Sequence, residues 1–111
     1  MRRWLVPRKT RTGWAKRKPR SGLQRRELKA ACGRRAFLDP KKDAYPVMGK
    51  GCAFDCQGVS SAYKRARQQH AMAKNAGMGH EAAYHNKIAR KAHALGRKLG
   101  CSWASWPFPK G

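Results

Sequence analysis

Positive charge is the feature that most restricts what this chain can fold into. The 111 residues include 27 Lys and Arg but only five Asp and Glu, which gives a formal net charge of +22. Small domains usually carry a net charge of about 2 to 8 in magnitude. Because so basic a chain repels itself, we expect a small core, outward charges and a polyanionic partner. Nucleic acid is the favoured partner, since phosphates neutralised by Lys or Arg release counterions; an anionic membrane would need an adjacent apolar insertion face.

The charge is unevenly distributed, and this divides the chain. Residues 1–36 hold fourteen basic residues and one acid, net +13, and residues 59–111 hold ten basic residues and one acid, net +9. Residues 37–58 hold three of each and are neutral. We predict a mainly α protein with an extended basic arm at 1–27, an irregular connector at 28–58, a helical hairpin at 59–100 and an aromatic C-terminal tail at 101–111.

The N-terminal arm is punctuated by Pro and Gly, which predicts an extended conformation. Two tryptophans interrupt its charge, Trp4 and Trp14. The indoles are expected to stack on bases or to anchor the arm on a protein partner. The alternative is a solvated basic tail without a defined site.

The connector carries a turn signal at Asp39-Pro40 between two short apolar pieces. This predicts a loose hairpin, and Pro46 excludes a central-strand role. Four residues are expected to face the core: Phe37, Leu38, Tyr45 and Val47.

Two helices are predicted from apolar residues that repeat with a 3.6-residue period, one at 59–75 and one at 80–98. Ser60 or Ser61 would cap the first helix, and Gly77 would end it. The Ala-rich stripes predict a closely packed antiparallel pair with positive outer faces. His70 lies on the apolar stripe and is interpreted as a packed imidazole.

Phosphate contacts are assigned to the basic residues of the arm and of the outer helix faces. The candidates are Arg2, Arg3, Arg8, Lys9, Arg11, Lys16, Arg17, Lys18, Arg20, Arg25, Arg26, Lys64, Arg65, Arg67, Arg90 and Lys91. A helix-turn-helix that reads bases is a further alternative, but Glu81 in the first turn of the second helix would face phosphates unfavourably.

The C-terminal tail combines three large aromatics with two prolines, so no helix can continue through it. Trp103, Trp106 and Phe108 are therefore candidate partner anchors, together with Trp4 and Trp14. The alternative is that the tail folds back over the helix pair.

Four cysteines occur, with one short-spaced pair, Cys52-Ala-Phe-Asp-Cys56. Because a zinc site usually needs a second such pair, Cys52 and Cys56 are only weak zinc candidates and no cofactor is predicted. Ordinary thiols are favoured over a disulfide framework, since the charged start of the chain does not resemble a secretory signal. The sequence likewise predicts no enzyme, because its acids are scattered and no nucleophile motif occurs.

Three segments together resemble a small module of tailed-bacteriophage head-associated proteins: the run from Arg35 to Val47, Ala62-Tyr-Lys-Arg-Ala-Arg-Gln-Gln, and Ile88-Ala-Arg-Lys-Ala-His-Ala-Leu-Gly. The likeness covers about residues 35 to 100. The segment Gly49-Lys-Gly-Cys-Ala-Phe-Asp-Cys56 and the Trp-containing arm depart from that pattern. The resemblance implies a virion or head-associated protein without catalytic residues.

The predicted function is therefore a structural protein that binds the nucleic-acid backbone without sequence preference and docks on neighbouring subunits, in the virion or the host cytoplasm. A ribosome-associated RNA-binding protein is the first alternative, since such proteins also bind phosphate through long basic arms that contain few aromatic residues. A soluble helix-turn-helix-like regulator is the second. Neither a membrane nor a small-molecule substrate is expected.

Overall fold

The structure, a computed structural model, describes residues 8–9, 12–49 and 51–108. Within these residues the fold is mainly helical, which confirms the predicted class. The helices are α1 (Trp14–Arg17), α2 (Gly22–Cys32), α3 (Cys56–Asn75) and α4 (Gly79–Leu99), and the strands are β1 (Phe37–Asp39) and β2 (Ala44–Pro46). The chain forms two compact units, unit 1 (Met1–Val59) and unit 2 (Ser60–Gly111).

The prediction of an extended arm through residue 27 is wrong for its C-terminal half, where α1 and most of α2 lie. Helix α2 begins with a capping box: the Ser21 hydroxyl accepts a hydrogen bond from the Gln24 amide at 3.1 Å. The Ser21 amide in turn donates to Gln24 Oε1 at 3.4 Å. These two bonds satisfy backbone donors that a helix otherwise leaves unpaired, so the helix forms despite its basic composition.

Trp14 belongs to the core of unit 1, and only 5% of its surface is exposed. Its ring lies against Gly58, where an added Cβ would sit 2.7 Å from the indole Cη2. The Trp14 amide also donates to Gln57 Oε1 at 3.0 Å. Trp14 is therefore an internal core residue, and its predicted role as an anchor for a partner is wrong.

The connector forms the predicted hairpin, with β1 antiparallel to β2 and Phe37 opposite Pro46. Phe37 and Val47 are buried as expected, whereas Leu38 and Tyr45 are half-buried.

The turn of the hairpin is tied to α2 by three contacts. Lys29 Nζ lies 2.7 Å from Asp43 Oδ1 and donates to the Pro40 carbonyl at 3.0 Å, and Arg25 donates to the Asp43 carbonyl at 2.9 Å.

Helix α3 begins at Cys56 rather than at Val59, because Asp55 caps it. Asp55 Oδ1 accepts from the amides of Gln57 at 2.9 Å and Gly58 at 3.2 Å. The prediction that Ser60 or Ser61 caps this helix is therefore wrong. A carboxylate at a helix N-terminus also interacts favourably with the helix dipole.

Unit 2 contains the predicted antiparallel helix pair. Chain reversal occurs at Gly77, whose φ of 72° suits glycine. The seam between the helices is built from buried alanines, which allow close approach: Ala62, Ala66, Ala73, Ala82, Ala89 and Ala92. His70 Nδ1 donates to the Ala82 carbonyl at 2.8 Å, so His70 is the packed imidazole that was predicted.

Candidate nucleic-acid interface

A basic cleft of about 800 Å³ lies in unit 1. One part of its lining is cationic and comes from α1 and the segment that follows it: Lys16, Arg17, Lys18 and Arg20. The rest comes from α2 and the Gly51–Cys52 turn, and it includes Leu28, Ala31, Gln24 and Glu27. Four of the predicted phosphate-binding residues are thus brought together in one concave site.

Two of these four cations also have structural roles. Arg17 Nε lies 2.7 Å from Asp55 Oδ2, and Asp55 is only 1% exposed. Arg20 donates through Nε and Nη2 to the Ala15 carbonyl at 3.2 and 2.9 Å. Lys16 and Lys18 are exposed. These two lysines are therefore the cations of the cleft best placed for a mobile anionic ligand, since Lys presents a point charge on a flexible stem.

The other described candidates of unit 1, namely Arg8, Lys9, Arg25 and Arg26, do not line the cleft. Arg8 and Lys9 are exposed, and the Arg8 backbone joins the core by donating to the Phe54 carbonyl at 2.7 Å. Arg26 is exposed, whereas Arg25 is committed to the hairpin turn. Arg2, Arg3, Trp4 and Arg11 lie outside the described residues.

A second cationic surface follows the outer face of α4. Lys87, Lys91 and Lys98 are exposed, and at 100° per residue they fall within about 40° of one another around the helix. Of these, sequence reasoning selected only Lys91. The spacing i, i+4, i+11 was the signal that identifies Lys87 and Lys98 as its neighbours on that face. Lys64 and Arg65, also predicted, are exposed on α3.

Arg67 and Arg90 have a different environment from these lysines, because both lie over the ring of Phe108. Their guanidinium carbons are 5.5 and 4.9 Å from its centroid. Arg67 also approaches Asn86 Oδ1 at 3.5 Å. A cation over an aromatic face is attracted by the ring quadrupole. These two arginines therefore help to hold the tail and are less available for phosphate than the exposed lysines.

The C-terminal tail folds back onto unit 2, which supports the alternative interpretation of its aromatics. The rings of Trp103, Trp106 and Phe108 lie 5.5, 5.6 and 6.1 Å from the ring of Tyr63. His93 Nε2 donates to the Trp106 carbonyl at 2.6 Å. Trp103 and Phe108 are half-buried, and Trp106, 39% exposed, is the tail aromatic with the most free surface for a partner.

Gly96 provides the space that this tail requires. An added Cβ there would lie 2.7 Å from Trp103 Cζ2 and 2.9 Å from Ala104 Cβ. We expect Gly96→Ala to lower the free energy of unfolding by about 1 to 3 kcal/mol through overpacking. The measurement is urea unfolding followed by tryptophan fluorescence.

The control for Gly96→Ala is Gly79→Ala, at the first residue of the same helix. Apart from the local helix backbone and the neighbouring residues, no atom lies within 4 Å of a Cβ added at Gly79. This variant should be neutral or stabilised by up to about 1 kcal/mol, because alanine restricts the unfolded chain. Equal stability of the two variants would show that the tail does not pack on Gly96.

The cysteines differ from the prediction of ordinary thiols. Cys32 and Cys52 form a disulfide with a Cα–Cα distance of 5.2 Å, and Cys56 and Cys101 are also disulfide-bonded. The weak zinc candidates Cys52 and Cys56 therefore have no thiolate to offer a metal. Within residues 8–9, 12–49 and 51–108, no group of three or more His, Cys, Asp and Glu is placed to hold a metal ion.

The helix pair does not favour the helix-turn-helix alternative. Contacts between α3 and α4 run from His70–Ala82 near the turn, through Arg67–Asn86, to Tyr63–His93, whose rings are 6.1 Å apart. Helices that cross at the 90–120° of a helix-turn-helix would touch over a short stretch only. The pair is instead a long antiparallel hairpin.

In the part of the chain that the structure describes, no helix combines the length and the apolar character that crossing a membrane requires. Comparison of the chain with protein-family models, with curated proteins and with solved structures gives no match.

Proposed function

We propose that this protein is a non-enzymatic structural protein that binds the nucleic-acid backbone without sequence preference and is part of a larger assembly. The observation that carries the proposal is the basic cleft, in which exposed Lys16 and Lys18 stand beside Arg17 and Arg20. The exposed lysines of α4 add a second site of attraction. Contacts of this kind position a protein on phosphates but carry no base information.

The few acidic residues do little to neutralise these surfaces. Asp55 is buried against Arg17, and Asp43 is paired with Lys29. Glu81 lies 3.8 Å from His85 on the same helix. Since the chain has only five acidic residues for its 27 Lys and Arg, the positive potential around the molecule persists and attracts a polyanion at long range.

A phage particle is the assembly that we propose, on the basis of the resemblance in residues 35–100. The disulfides support a setting outside the reducing cytosol, because disulfides persist in oxidising surroundings such as virion surfaces. This observation favours a virion over the ribosome-associated alternative. Trp106, the most exposed aromatic of the tail, is the proposed contact with a neighbouring subunit.

The test is binding of the full chain to random-sequence duplex DNA across a salt series. Each phosphate contact adds about 0.9 to the slope of log K against log salt concentration. We expect the double variant Lys16→Gln/Lys18→Gln to lower that slope by about 1.8. The two lysines are substituted within the full chain, because a deletion of residues 1–26 would also remove the core residue Trp14.

The control is Lys41→Gln/Lys74→Gln, which removes the same charge from exposed residues that do not line the cleft. Its slope should equal that of the unsubstituted chain. Equal slopes for both double variants would contradict a role for the cleft. Affinity that is independent of salt would contradict backbone binding altogether.

A further inference from the structure

The disulfide Cys32–Cys52 lies in the lining of the basic cleft. We propose that it is a thiol–disulfide exchange site selective for small anionic thiols, which the cations of the cleft attract. The proposal goes beyond nucleic-acid binding and does not depend on it.

Access distinguishes this disulfide from the other cysteines of the chain. Cys32 and Cys52 are half-buried, whereas Cys56 and Cys101 are buried, with 6% and 4% of their surface exposed. Exchange requires a thiolate to reach a sulfur atom directly, so its rate depends on access. Cys32–Cys52 should therefore react while Cys56 and Cys101 remain oxidised.

Charge gives the site its selectivity. Lys16, Lys18 and Arg20 line the same cleft as the two sulfurs, and Glu27 is the acidic residue of that lining. A thiolate that also carries a carboxylate is concentrated by such a cationic cleft, whereas a thiol with an ammonium group is repelled. Neighbouring cations also stabilise the thiolate that leaves.

Helix geometry assigns the sulfur that is attacked. Cys32 is the last residue of α2, where the negative end of the helix dipole disfavours a thiolate. Cys52 lies outside the helices, so it is the better leaving group. The incoming thiolate forms a bond to Cys32 Sγ as the Cys32–Cys52 bond breaks, and Cys52 leaves as a thiolate that takes a proton from water. A second small thiolate then attacks the mixed disulfide at the sulfur of the bound small molecule. The bond to Cys32 Sγ breaks, which releases reduced Cys32 and a small-molecule disulfide.

The experiment exposes the full chain to mercaptoacetate or cysteamine, an anionic and a cationic thiol of similar size. Samples are quenched with acid, and peptide mass spectrometry follows the loss of the Cys32–Cys52 bond. The rate ratio of mercaptoacetate to cysteamine is compared with the same ratio for the urea-unfolded chain, which removes differences in intrinsic thiol reactivity. We expect the ratio to be at least about tenfold greater in the folded chain and to approach the unfolded value in 1 M salt.

Site and charge are tested by variants and by the location of the adduct. Lys16→Gln/Lys18→Gln should reduce the folded-chain ratio several-fold, and Lys41→Gln/Lys74→Gln should leave it unchanged. The mixed disulfide should be found on Cys32. Equal ratios in the folded and unfolded chain, or reaction of Cys56 and Cys101 before Cys32, would overturn the proposal. The salt series on the unsubstituted chain tests the role of charge even if the variants fail to fold.

Discussion

Substitution of alanine for Trp14 is expected to lower the free energy of unfolding by about 3 to 5 kcal/mol, the usual cost of deleting a buried large aromatic. The indole is 5% exposed and lies on Gly58, so the space it leaves cannot be filled by a neighbouring side chain at that position. Whole domains are stable by about 5 to 15 kcal/mol, so the loss is a large part of the total. Urea unfolding followed by far-UV circular dichroism measures it without relying on the deleted fluorophore.

Trp106→Ala is the matched control for Trp14→Ala, because it deletes the same side chain at a position that is 39% exposed. Its cost should be lower, at most about two thirds of that of Trp14→Ala, since hydrophobic stabilisation scales with the apolar area removed from water. If both variants lost the same stability, Trp14 would not be the core residue that the structure describes.

Asp55→Ala is the second substitution with a large expected effect. Removing one partner of a buried ion pair typically costs about 3 to 5 kcal/mol. The Arg17 side chain is 20% exposed, so water recovers part of its solvation and we expect about 3 kcal/mol in total, including the lost helix cap. Asp55→Asn keeps an oxygen that can cap the helix but loses the ion pair. Its free energy of unfolding should therefore fall by less than that of Asp55→Ala. The measurement is the urea unfolding midpoint, converted with the slope of the transition.

Glu81→Ala provides the comparison for Asp55, because its side chain is 56% exposed. Exposed substitutions of this kind usually change stability by within about 0.5 kcal/mol. Should Asp55→Ala prove as mild as Glu81→Ala, the link between Arg17 and the start of α3 would have no energetic weight.

The parts of the fold that the sequence predicts are those governed by local signals. Helices α3 and α4 are predicted by apolar residues that repeat every 3.6 positions, and Gly77 marks the break between them. The hairpin is predicted by Asp39-Pro40, which lies between two short apolar pieces. Helix α2 also has a local signal, the Ser21–Gln24 capping box. It was missed because the surrounding Pro, Gly and positive charge favoured an extended interpretation.

The features that the sequence did not predict depend on long-range contacts. Trp14 meets Gln57 across 43 positions, and Arg17 meets Asp55 across 38. No periodicity or spacing rule relates residues so far apart, and pairings among four cysteines are equally undetermined by sequence. For the same reason the basic residues of the cleft were predicted one by one, while the concave surface that joins them was not.

The burial of Trp14 has a consequence for how such a chain can change over generations. Exposed terminal segments usually tolerate insertions and deletions, since they do not support the fold. Here Lys16, Arg17 and Lys18 lie between the buried residues Trp14 and Pro19, and Arg17 is itself paired with the buried Asp55. A deletion in this segment removes charge and also changes the spacing between Trp14 and Pro19, which are both buried. The charge of the cleft can therefore be adjusted by substitution more readily than by deletion.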